Sequence, residues 1–329
     1  MRSKEAEKSE SLTASMYAMQ LQERTAYPPC GDYLAKYVTS PAAAAARCAK
    51  AQLDEEPMMR RDPSSIAIHT LDGSRSARVV AVIHQQTNNY VDIECRSKMC
   101  EWFYQVIDYC GLSRDTVQIC MSYLDTFLAT CPDPYLYDRE RYQLAAITSL
   151  YLSIKLHEPV ELDVKLLAVL SRGTYSQRSI VEMEQIILTT LKWRLNPPIP
   201  NWFVSCYMAL LKDNGCAITV ELRTVNILAT FQTELGTVDY TMRCSDDDFS
   251  SHEIALASVL NAVEAVQNLP GLNRFAATLY LNGLRADCNQ VATERISSLR
   301  KHLMQVFALS RRKSLQEEGS IVLCELKSR

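Results

Sequence analysis

"RYQLAAITSLYLSIKL", Arg141 to Leu156, is apolar or small on nearly every face. A helix of that kind is normally buried on all sides, so other elements must pack around it. Ala145, Ala146, Ser149 and Ser153 are interleaved with the larger residues, which lets neighbouring backbones come close. The run then departs from its own pattern. Lys155 stands near its end, followed by His157, Glu158 and Pro159. A lysine where a helix leaves the core either snorkels to water or presents its ammonium to a partner.

Helical periodicity extends outward from this segment in both directions. It predicts helices at Arg96–Tyr109, Ser113–Ala129, Arg139–Leu156, Asp163–Leu170 and Ser176–Leu191, with Ser113 and Ser176 as N-caps. An earlier helix is expected over "SARVVAVIHQQTNNYV", and a short one at "SPAAAAARCAKAQ". Before Ser76 the chain reads as loosely structured, with linker composition in "DEEPMMRRDPSS" and "LDGSRS". "NPPIP", Asn196 to Pro200, cannot continue a helix and marks a boundary. A second set follows at Asn201–Leu211, Val220–Glu234, Ser251–Gln267, Leu272–Ala286 and Gln290–Leu309. Ser250 with Glu253 forms a capping-box signature for the third of these. "LAAITSLYLS" from Leu144 and "IALASVLNAV" from Ile254 overlay at an offset of about 110 residues, roughly one small domain. The expected fold is all-α: two tandem five-helix units with a preceding helix and a flexible N-terminal segment. The limits are 1–75 for that segment, 76–196 and 197–309 for the units, and 310–329 for a tail.

Composition removes several function classes. A chain 47% hydrophobic builds a large core and is not broadly disordered. A net charge of -3 opposes an extended nucleic-acid surface. Twelve cysteines include no CxxC pair, and the five histidines do not cluster with them, so no zinc or other metal site is expected. Reduced, buried thiols in an intracellular protein fit better. No apolar run is long enough to span a bilayer, and "MRSKEAEKSESL" is too polar for a secretory peptide. No glycine-rich phosphate loop occurs and no motif singles out one cysteine as a nucleophile. Neither an enzyme nor a cofactor is expected.

"CRSKMCEWFYQV", "MSYLDTFL", "SLYLSIKLHE", "YSQRSIVEMEQIILTTLKWRL" and "PPIPNWFV" occur in order and at suitable spacing. Together they resemble the N-terminal cyclin box of a cell-cycle cyclin. "DYTMRCSDDDFSSHEIALASVLNAVEA" resembles the C-terminal cyclin fold. The resemblance covers roughly Ser76 to Leu309 and is strongest in the first box. It implies a regulatory subunit of a cyclin-dependent kinase, acting in cell-cycle control in the nucleus, the cytoplasm or both. Lys155 and Glu184 match the lysine and glutamate with which cyclins grip the kinase backbone beside its αC helix. The residues themselves leave two readings open. Glu184 interrupts the apolar stripe of Ile180, Ile187 and Leu188, so it and Lys155 form either a polar site for a partner's backbone or a solvated pair. Arg96 and Asp125 match a buried structural salt bridge that joins the first two helices of the box.

Met99, Trp102 and Gln143 match the groove in which some cyclins hold Arg-x-Leu peptides of kinase substrates. As plain sequence, Met99 and Trp102 read equally well as core residues. Cys95, Lys98 and Gln105 depart from that pattern: Lys98 adds like charge, and Gln105 lacks the carboxylate that would receive the peptide's arginine. "RRKS", Arg311 to Ser314, fits a nuclear-import or phosphorylation signal and equally a solvated tail. The competing reading is a tandem cyclin-fold transcription factor or adaptor without kinase activation. The absent zinc ribbon and the acidic balance oppose its DNA-binding form.

Overall fold

The computed structural model describes residues 2–27, 30–38, 91–160, 162–171, 173–213, 220–244, 249–266 and 294–310. Every regular element among these is a helix. They are α1 Arg2–Ala26, α2 Tyr33–Val38, α3 Ile93–Cys110, α4 Asp115–Thr130, α5 Arg139–His157, α6 Val164–Leu170, α7 Gln177–Thr190, α8 Pro200–Asp213, α9 Val220–Val238, α10 Tyr240–Arg243, α11 Ser251–Ala265 and α12 at 294–310. The helices expected at "SPAAAAARCAKAQ", "SARVVAVIHQQTNNYV" and Leu272–Ala286 lie outside the described residues, as does "RRKS". No described helix is long and apolar enough to cross a membrane.

Two compact units result. The first is drawn from Asp32–Met99 and Tyr123–Trp193, the second from Met1–Gly31, Cys100–Ser122 and Arg194–Arg329. The first unit is built on α5. Asp138 caps it by accepting the N–H groups of Glu140 and Arg141. From Ala145 to Ile154 every residue is buried. The helix carries three hydroxyls into that core, and each is satisfied within the helix: Thr148, Ser149 and Ser153 donate to the carbonyls of Leu144, Ala145 and Leu150. Burying them unpaired would be costly. α6 and α7 pack against α5. Asp163 and Ser176 cap these two by accepting the N–H groups of Lys165 and Ser179.

In the second unit α11 takes the central place, buried along most of its length and packed by α8 and α9. Its capping box forms from Ser250 and Glu253. Arg295 of α12 reaches Glu253 at 2.7 Å. The grouping of parts of α3 and α4 with this unit has a polar basis. Arg114 bridges Asp108 and Glu234, Gln118 Nε2 donates to Thr233, and Asn201 Nδ2 donates to Asp115.

α1 departs from the expectation of a loosely structured start. Met16 is buried in the second unit's core, with Leu12 and Met19 packed against it. Glu23 is buried as well, accepting the N–H of Ser251 at the start of α11. Burial raises the Glu23 carboxyl above its ordinary range, against the lowering by Arg243 and the amide donors. Gln22, Ala26 and Tyr27 exchange hydrogen bonds with Asn196 and Arg194. Leu12, Met16 and Met19 fall at helical spacing, but three such positions in a Ser- and Glu-rich stretch make only a weak periodic signal in the sequence.

Candidate functional site

α7 carries Ile180, Met183, Ile187 and Leu188 on its buried face. Glu184 falls among them by helical spacing, so its carboxylate is directed along the packed side rather than to open solvent. Its side chain is only 12% exposed, whereas that of Lys155 is 49% exposed. The two meet: Lys155 Nζ donates to Glu184 Oε1 at 2.8 Å. The ammonium also lies 5.4 Å from the centre of the Tyr151 ring, one turn back on α5. The bond to Glu184 is the largest cause raising the lysine's pKa, so Lys155 stays charged through the neutral range. An ammonium has three donors and a carboxylate accepts at both oxygens, so the pair keeps capacity for a carbonyl and an amide of another chain. It sits at the margin of the core, and its own contribution to stability is small, about 1 kcal/mol or less.

The first unit also leaves large apolar side chains in solvent on the same helices. Leu156 follows Lys155. Leu166 and Val169 are exposed on α6, and Val181 and Ile186 on α7. Trp193, just past α7, is 69% exposed. The chain gets there through two successive left-handed residues, Lys192 at φ 52° and Trp193 at φ 57°. Such conformations cost side-chain-bearing residues roughly 1–2 kcal/mol each. The bonds from Lys192 N to Thr189 O and from Trp193 N to Leu188 O hold the turn. Sequence reasoning missed these apolar residues as surface, because each resembles a core position in a helical pattern.

Arg96 and Asp125 form a forked ion pair, Nε to Oδ1 at 2.8 Å and Nη2 to Oδ2 at 2.7 Å. The side chains are 1% and 5% exposed. A third member was not legible in the sequence: the Tyr33 hydroxyl donates to Asp125 Oδ1 at 2.9 Å. A hydrogen bond to a buried charge is worth about 1.5–3 kcal/mol. Tyr33→Phe should therefore lower stability by that order while keeping the ring, and chemical denaturation of the purified variant measures it. A change below about 0.5 kcal/mol would mean that the bond to Asp125 adds nothing net.

Met99 and Trp102 lie three positions apart on α3, and both are half-buried. Gln143 is exposed on α5, and its Oε1 accepts from the Tyr175 hydroxyl at 3.1 Å. Lys98 pairs with Glu94 one turn back at 2.7 Å, both well exposed, and that pairing raises the lysine's pKa. Gln105 is exposed on the same helix. Among the described residues no group of three or more His, Cys, Asp or Glu side chains could hold a metal ion.

Residues 69–196 match the family model of the cyclin N-terminal domain. Among curated proteins, the chain is 30% identical over 183 residues to a G2/mitotic-specific cyclin-B2 of Rana japonica, covering 56% of this chain and 42% of that protein. It is 29% identical over 147 residues to the human G2/mitotic-specific cyclin-B2, covering 45% and 34%. Putative cyclin-A3-1 of Arabidopsis thaliana is 26% identical over 145 residues, covering 44% and 39%. These alignments span well under half the length of the relatives. Among solved structures, a viral cyclin from herpesvirus saimiri matches with a TM-score of 0.51 at 15% identity, covering 67% of this chain and 89% of that one. That likeness is one of fold, and it takes in more of the chain than the N-terminal domain alone. By sequence, the segment 69–196 is a cyclin N-terminal domain, and the fold of the described residues is similar to that of a viral cyclin.

Proposed function

We propose that this chain is a regulatory subunit that binds and activates a cyclin-dependent protein kinase in cell-cycle control, in the nucleus, the cytoplasm or both. The observation that carries this reading is the Lys155–Glu184 pair at the exit of the buried helix, within a cyclin N-terminal domain. The exposed apolar side chains of α5, α6 and α7 support it, because an interface needs a desolvated apolar surface around its polar contacts. Lys155 and Glu184 bind backbone groups of the kinase beside its αC helix. That contact favours the kinase conformer in which αC is held inward and the kinase's own Lys–Glu pair is complete. The chain performs no chemistry itself. Affinity capture from dividing cells, with mass spectrometry of the bound proteins, tests this. A cyclin-dependent kinase recovered with the parent chain and lost with Lys155→Ala/Glu184→Ala supports it, and capture without any protein kinase contradicts it.

Substrate docking through α3 follows a weaker logic in this chain. The charge of Lys98 is partly offset by Glu94, so the larger deficit lies at Gln105, which offers no carboxylate to an arginine. An Arg-x-Leu peptide should bind weakly at physiological salt. Gln105→Glu should tighten it several-fold, and Lys98→Ala should change it little. Fluorescence titration of a labelled peptide reads both. Tight binding to the parent chain, lost on Trp102→Ala, would show that Gln105 suffices.

A further inference from the structure

Lys155 lies in the last turn of α5, which closes with the bond from Glu158 N to Ile154 O. The carbonyls of that turn have no amide further along the helix to bind, and such turns fray. A side chain that must meet a partner at a fixed point therefore depends on something outside the helix to hold the turn. The structure supplies one. Tyr123 of α4 is 1% exposed, and its hydroxyl lies 2.9 Å from Nε2 of His157, the final residue of α5. The two rings sit 6.5 Å apart, centre to centre. Tyr123 is buried and its large ring has only two rotatable side-chain bonds, so it is a rigid anchor. His157 stands two residues beyond Lys155 and is itself exposed.

We infer that Tyr123 and His157 form a latch that fixes the last turn of α5 and so positions Lys155 for the kinase. This rests on the reading of Lys155 and Glu184 as the kinase grip. His157 and Tyr123 are positioning residues: they act through Lys155 and need not touch the kinase. A single side-chain hydrogen bond of this kind is worth a few-fold in an equilibrium. His157→Leu removes the ring nitrogen, and Tyr123→Phe removes only the hydroxyl. Each should weaken the captured kinase's binding roughly three- to tenfold, and the two together no more than either alone.

The test is a double-mutant cycle on the full chain, with binding of the purified captured kinase measured by calorimetry. Circular dichroism of each variant confirms that it is folded. His157→Gln keeps an amide able to donate or accept, and should restore most of the parental affinity. In a Lys155→Ala background, His157→Leu should cause no further loss, because the residue it positions is gone. Parental affinity in His157→Leu or Tyr123→Phe would overturn the latch. So would a loss of equal size with and without Lys155, which marks a structural role. Parental affinity in Lys155→Ala itself would remove the grip on which the latch depends, a result separate from failure of the latch alone.

Discussion

Asp125→Ala should lower the unfolding temperature of the first unit by on the order of 10 °C, from a stability loss of roughly 3–5 kcal/mol. The cause is Arg96. With its side chain 1% exposed, the guanidinium loses both bonds of the fork and is left charged in the core. The Tyr33 hydroxyl loses its acceptor in the same step. Removing one partner of a buried pair costs far more than the pair contributes net, because the remaining charge loses its carboxylate inside the core. Asp125→Asn keeps an acceptor and should fall between parent and alanine variant. Differential scanning calorimetry is the measurement. An unchanged transition would show that Arg96 reaches solvent, contrary to its burial.

The second large effect is on binding. Lys155→Ala with Glu184→Ala should weaken kinase binding by roughly two to four powers of ten, from two charged hydrogen bonds of about 1.5–3 kcal/mol each. The fold should tolerate the change. Lys155 is half exposed, Glu184 lies at the core's edge, and the pair fills no cavity. Circular dichroism should match the parent, and thermal unfolding should shift by no more than a surface ion pair allows, about 1 kcal/mol. Loss of helicity in the double variant would instead assign the pair to the stability of the unit.

What the sequence revealed follows the range of the forces involved. α5 was legible because an all-round apolar run admits few alternatives. The caps at Ser176 and Ser250 were legible because each bond spans three residues. The edge positions of Lys155 and Glu184 followed from periodicity alone, although 29 residues separate them. Contacts without a local signature were not legible. Tyr33 reaches Asp125 across 92 residues. Tyr123 meets His157 only in the folded unit, across 34 residues of chain, and nothing in either helix's pattern marks the pair. α1 was missed because its apolar contacts are few, and Glu23, the residue that ties it to α11, reads as an ordinary surface glutamate. The resemblance to cyclins supplied the roles proposed for Lys155 and Glu184, which no pattern of charge and hydropathy would have chosen over a solvated pair.

Under the proposed function, this chain switches a kinase on through the Lys155–Glu184 pair. The most direct measurement is histone phosphorylation by a panel of purified cyclin-dependent kinases, each titrated with the purified chain. A saturable rise in activity is expected for at least one kinase. The Lys155→Ala/Glu184→Ala variant, equally helical, should need at least about a hundredfold higher concentration to reach the same rate. No activation of any kinase by the folded parent chain, or full activation by the double variant at parental concentrations, would overturn the proposed role of the pair.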